Sequence, residues 1–136
     1  MTFIKYCYDS VIFYELSNID ISMNERDLTI FPNDELGDKL WQLLLQGIDL
    51  NLPVEVEFSM LFPSKEKALA FGAVLLENNQ KLSFSTFEQH ETHTFEITAY
   101  PEMPLTYQNI EGYQSLLVGN AIEHNGIYDG WFSVYG

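Results

Sequence analysis

His90-Glu91-Thr92-His93 is the stretch of this chain whose residue types come nearest to a metal motif, with His124 as a further histidine distant in sequence. Two imidazoles flanking a turn are candidate zinc ligands, but H-x-x-H alone is a weak pattern, and no cysteine stands near it to complete a tetrahedral set. Exposed polar residues of a hairpin are the better reading. Nucleophilic catalysis needs a Ser, Cys or Thr beside a base, and the three histidines show no such spacing. The single cysteine, Cys7, reads as a small buried apolar residue, since free cysteine is among the most buried types. Carboxylates are plentiful, but chance pairs are expected in a chain with 20 acids. Glu55 and Glu57 alternate along a strand and read as its solvated face. None of the phosphate-binding, dinucleotide-binding, nucleophile-elbow or zinc-protease motifs is present. The expectation is therefore no catalytic residue, no resident metal and no cofactor.

Charge carries more information than motif. Twenty acids against six bases give a formal charge of −14. The bases are Lys5, Arg26, Lys39, Lys65, Lys67 and Lys81, and no Lys or Arg follows Lys81. That last part still holds Glu88, Glu91, Glu96, Glu102, Glu111, Glu123 and Asp129. Direct contact with nucleic acid is disfavoured, because phosphates are bound mainly by Lys and Arg. Anionic membrane is disfavoured for the same reason. A basic protein would be attracted, and its encounter sped. No apolar run approaches the roughly 18 residues of a membrane span, and the N-terminus lacks the regions of a signal peptide. The expected compartment is the cytoplasm.

The elements that must position these groups follow from periodicity. Residues 3–8, 11–15, 19–23 and 28–31 are rich in β-branched and aromatic residues and predict a short β-meander over 1–31. Asn33 is expected to cap a helix over 34–46, with Leu36, Leu40, Leu43 and Leu44 as its apolar stripe and Gly47 as its stop. Residues 54–62 alternate as a strand, with Val54, Val56, Phe58, Met60 and Phe62 on one side. Ser64 caps a second helix over 65–78. Residues 81–87 and 92–100 are two strands joined by a hairpin connection. Pro101 to Pro104 are expected to block further pairing. Thr106 caps a third helix over 107–125, in which Gly112 and Gly119 share a face that predicts close packing on a sheet. From residue 54 the order is strand, helix, strand, strand, helix, strand. This predicts an α+β fold of the ferredoxin-like βαββαβ kind, one antiparallel sheet with two helices on one face. The helix over 34–46 and the meander are additions, giving an extension over 1–31 and a compact unit over 32–136.

The chain then ends on Gly126-Ile127-Tyr128-Asp129-Gly130-Trp131-Phe132. Gly126 is placed to stop the helix in a left-handed conformation. An aromatic strand follows, and Gly130 in its middle predicts a bulge. Tyr128 and Trp131 read first as core side chains, with contact to a partner as the competing reading.

In this order the landmarks resemble the ribonuclease E inhibitor B, or regulator of ribonuclease activity B, family. Asp34-Glu35-Leu36-Gly37-Asp38-Lys39-Leu40 followed by Gln46-Gly47-Ile48-Asp49-Leu50 is similar to its leading helix and G-x-D-L turn. Pro53-Val54-Glu55-Val56-Glu57-Phe58 with Leu61-Phe62-Pro63 is similar to its first strand, and Met103-Pro104 to the lead-in of its last helix. Tyr128-Asp129-Gly130-Trp131 is the most distinctive element; Phe132 stands where a glycine often follows. The resemblance spans about residues 32–136. It implies the same α+β fold and a protein without catalytic residues that binds a ribonuclease and damps its RNA cleavage. The leading expectation is thus an acidic inhibitor of a basic ribonuclease of the ribonuclease E type. Tyr128, Asp129 and Trp131 would form its contact patch, and Glu96, Glu102 and Glu123 would supply charge. The alternative is an immunity protein that neutralises a nuclease toxin, which small size and acidity fit equally well.

Overall fold

The computed structural model describes residues 25–136. Cys7 and the strands expected over 3–8, 11–15 and 19–23 lie outside the described residues. The chain divides into two compact units, Met1–Ile48 and Asp49–Gly136.

In the first unit, residues 28–31 form a turn, not the expected strand. The N–H groups of Ile30 and Phe31 both donate to the Asp27 carbonyl, at 3.0 and 2.8 Å. The Asp27 carboxylate accepts from the Thr29 N–H at 2.9 Å and from its hydroxyl at 2.7 Å. Asp side chains draw the backbone into turns in this way, and here that outweighs the β-propensity of Leu28 and Ile30. Helix α1 runs Glu35–Leu45. Its cap is Asp34, not Asn33: the Asp34 carboxylate accepts from the Gly37 N–H at 2.7 Å. Gly37, Leu40 and Leu43 are its buried residues, and Leu44 is exposed. Gly37 is buried because the backbone passes over it: a Cβ there would lie 1.8 Å from the Pro32 carbonyl oxygen. Gly47, at φ +88°, follows the helix as expected.

The second unit is an antiparallel sheet with two helices. The residues 54–62 that alternate in sequence are divided into β1 (Val54–Glu55) and β2 (Glu57–Phe62). Helix α2 (Lys65–Glu77) is capped by Ser64, which accepts from the Lys67 N–H. Strands β3 (Leu82–Thr86) and β4 (Phe95–Ala99) come next, then β5 (Glu102–Met103). Helix α3 (Tyr107–Ala121) is capped by Thr106, which accepts from the Asn109 N–H. A 3-10 turn (Ile122–His124) leads into β6 (Ile127–Phe132). The order in the main sheet is β3-β4-β2-β6, with each neighbouring pair antiparallel. The segment between the prolines does pair, against expectation: Val54 is opposite Met103 and Glu55 opposite Glu102. Pro101 and Pro104 remove donors only at their own positions, leaving the two residues between them able to form a short ladder.

The alternation of β2 decides where the core sits. Phe58, Met60 and Phe62 face the same side as Ala99, Ile97 and Phe95 across the ladder. That side carries the helices. The Phe62 ring lies 5.0 Å from that of Phe71 on α2, and the Phe58 ring 4.7 Å from that of Tyr113 on α3. Phe58, Phe62, Phe71, Met60, Ile97, Ile110 and Leu117 are essentially removed from solvent. On the other side, Ser59 and Thr98 are buried too, and their hydroxyls lie 3.3 Å apart.

Candidate functional site

Strand β6 bends where a glycine permits it. Trp131 is opposite Phe58, Gly130 opposite Ser59 and Tyr128 opposite Met60, so Asp129 is the extra residue of a bulge. Gly130 has φ +113°, a conformation that side chains rarely adopt. The bulge expected at Gly130 is present. It puts Tyr128 and Trp131 on the helix-bearing side of the sheet, on either side of the irregularity. Trp131 is buried, at 9% exposure, whereas Phe132 next to it is 58% exposed. Tyr128 is half-buried, and its hydroxyl donates to Gln114 Oε1 of α3 at 2.7 Å. Burial, with the nearby Glu111 carboxylate, pushes that phenol well above its usual range. Asp129 is exposed.

Gly126, just before β6, differs from expectation in its reason. Asn125 takes the left-handed position, with φ +57°. Asn is the residue other than glycine that most readily does so. Gly126 is needed for space, since a Cβ there would stand 2.6 Å from Phe62 Cε1 and 2.9 Å from the Ala121 Cβ. The histidines support this corner. His93 Nε2 lies 3.0 Å from the Asn125 carbonyl oxygen, which can only accept, so Nε2 carries the proton. His93 Nδ1 then accepts from the Thr92 hydroxyl at 2.8 Å. His90 Nδ1 accepts from the N–H groups of Thr92 and His93. His124 meets Phe71 edge-on, with ring centroids 6.1 Å apart. The first two rings thus hold turns, and the third packs against α2.

Helix α3 is fixed on both flanks by neighbouring residues. Tyr113 donates to Gln80 Oε1 at 2.8 Å, and Gln114 accepts from Tyr128. Burial pushes the Tyr113 phenol up to about 12. Ile110, Leu117 and Ala121 form the buried stripe of the helix. Gly112 and Gly119 do not pack on the sheet as expected. Both are exposed, and a Cβ on either meets nothing within 4 Å. The helix faces the sheet through Ile110 and Leu117, so the glycines lie on its outer side. Leu116 and Ile122 are also exposed there, at 54% and 69%.

Between that outer side and β5 runs an open groove of about 440 Å³. One wall is Glu102, Met103 and Pro104. The other is Gln108, Asn109, Gly112, Tyr113 and Leu116 of α3. Asn109 Nδ2 donates to the Pro104 carbonyl at 3.0 Å and ties the two walls together. The missing side chain at Gly112 leaves the groove open. Among the described residues, no basic side chain lines it. Lys81, the last base in the sequence, is engaged with Glu55 at 2.7 Å, and Glu55 is the ladder partner of Glu102.

The structure therefore scatters the residues singled out in the sequence. Tyr128 and Trp131 share the helix-bearing side of β6. Glu102 lines the groove at the start of α3, and Glu123 is exposed in the 3-10 turn at the other end of that helix. Glu96 is half-buried on the opposite side of the sheet, where its carboxylate accepts from the Ser85 hydroxyl. The groove was not visible in the sequence. Its one signal was Gly112, exposed in a helix where glycine costs about 1 kcal/mol relative to alanine.

The sequence model of the family described as regulator of ribonuclease activity B (RraB) matches residues 33–132. The chain belongs to that family. No curated protein matches it. The matched segment takes in α1, the whole main sheet, the groove and the bulged strand. In this RraB-family chain the Tyr128-Asp129-Gly130-Trp131 element is thus a bulged strand whose tryptophan is buried and whose aspartate is presented to solvent. Family membership makes regulation of a ribonuclease the setting in which the acidic surface and the groove are to be read.

Proposed function

We propose that this protein is a non-catalytic regulator that binds a ribonuclease of the ribonuclease E type in the cytoplasm and damps its cleavage of RNA. The family match over residues 33–132 carries the reading. The strand order β3-β4-β2-β6 is consistent with the ferredoxin-like arrangement that the resemblance implies. The acidic composition supports the mode of action. With 20 acids against six bases, the chain is steered to a basic region of the enzyme and competes there with RNA phosphates for the same Lys and Arg side chains. Contacts through Asp129, Glu102 and Glu123, together with the apolar side chains beside them, then hold the complex. Tyr128 and Trp131 act in this reading by shaping β6 and α3. Glu96 contributes to the field.

The test is capture from lysate of the host cells with the purified full chain, at low and at moderate salt, read by mass spectrometry. Recovery of a ribonuclease E-type enzyme, weakening as salt rises, is the expected result. Recovery of a different basic nuclease, with no ribonuclease E-type enzyme at either salt, would overturn the reading and favour an immunity role.

A further inference from the structure

We infer that the groove between β5 and α3 is the docking site for a segment of the ribonuclease that carries lysine or arginine next to an apolar side chain. The inference rests on the reading of the chain as a ribonuclease-binding protein and adds where and how it binds. Four observations carry it. The groove is apolar along much of its length, through Met103, Pro104, the Tyr113 ring and Leu116. Leu116 lies 54% exposed at its edge and extends the apolar lining to the surface. Gly112 leaves the groove open, since a Cβ at that position meets nothing within 4 Å and a larger side chain there would stand in the groove.

Among the described residues the charge on its lining has one sign. Glu102 stands on the rim, and none of the described residues that line the groove is basic. The nearby Lys81 is held by Glu55, so it does not neutralise Glu102. Residues 108–116 of α3 give the groove a length of about 12 Å at 1.5 Å rise per residue. Such an open, elongated and shallow site suits an extended or helical segment of protein laid along α3. The partner's apolar side chain occupies the space over Gly112, and its cation meets Glu102.

The test uses the full chain and the purified ribonuclease E-type enzyme of the same cells as the probe. Gly112→Trp fills the groove without disturbing the core, because the position is open. It is expected to weaken binding at least tenfold with a melting temperature no lower than that of the wild type. Gly119→Trp, on the same helix but outside the groove and also open, is expected to bind within twofold of the wild type. Glu102→Gln is expected to weaken binding about threefold at low salt and to flatten the dependence on salt. Wild-type binding that Gly112→Trp leaves within twofold would overturn the docking site while the ribonuclease reading stands. Absence of binding by the wild-type chain would end both.

Discussion

Replacing Trp131 with alanine separates a tryptophan that builds the protein from one that touches a partner. Trp131 is opposite Phe58 on the helix-bearing side of the sheet and is 9% exposed. Removing a buried tryptophan side chain costs about 3–5 kcal/mol in lost burial and cavity formation. A domain of ordinary stability has only about 5–15 kcal/mol in total. At about 4 °C per kcal/mol for a chain of this size, the melting temperature should fall by roughly 12–20 °C. Phe132 is the internal comparison. It is the next residue, points to the other side and is 58% exposed, so Phe132→Ala should cost less than about 1 kcal/mol, as surface substitutions do. Thermal and urea unfolding followed by circular dichroism reads both. If Trp131→Ala melts within 3 °C of the wild type, the assignment of the indole to the core is wrong. If it also loses the ribonuclease, the indole belongs to the binding surface.

Two further outcomes follow from the same packing. Gly126→Ala forces a methyl group to within 2.6 Å of the fully buried Phe62 ring, and overpacking of that kind costs about 1–3 kcal/mol; urea midpoints measure it, and an unchanged midpoint would show that the ring yields freely. Tyr113 and Tyr128 both have phenols pushed up by burial, Tyr113 to about 12. Above the ordinary tyrosine value near 10 the unfolded chain releases these protons while the folded chain keeps them, so stability is full below pH about 10 and declines as pH rises through 10 to 12. Denaturant midpoints taken across that window should fall, and Tyr113→Phe should lessen the fall.

The elements of the second unit were legible because local signals agreed with one another. Residues 54–62 alternate, Ser64 and Thr106 cap, and Gly130 marks a bulge. The structure puts each of these near its expected place. Two of the differences arise where local propensity was outweighed by a partner distant in sequence or by competing turn chemistry. Residues 28–31 are rich in β-formers, yet the Asp27 carboxylate closes them into a turn. Glu102 and Met103 lie between prolines, yet β1 pairs with them. Gly112 and Gly119 are seven residues apart, and spacing alone does not say whether a shared face points inward or outward. The candidate site was less legible than the fold for the same reason. Its walls come from β5 and α3, and neither segment carries a motif. Tyr128 and Trp131 drew notice as aromatics, but alternation across a bulged strand, and not residue type, determines which side of the sheet they occupy.

The most direct test of the proposed function is the rate at which the purified ribonuclease E-type enzyme cuts a defined RNA with and without this protein. The expected result is a rate that falls in step with added protein, recovers as salt is raised, and stays at zero when the protein is given the RNA alone. An enzyme rate unchanged at saturating protein would contradict regulation, and RNA cut by the protein itself would contradict a non-catalytic role.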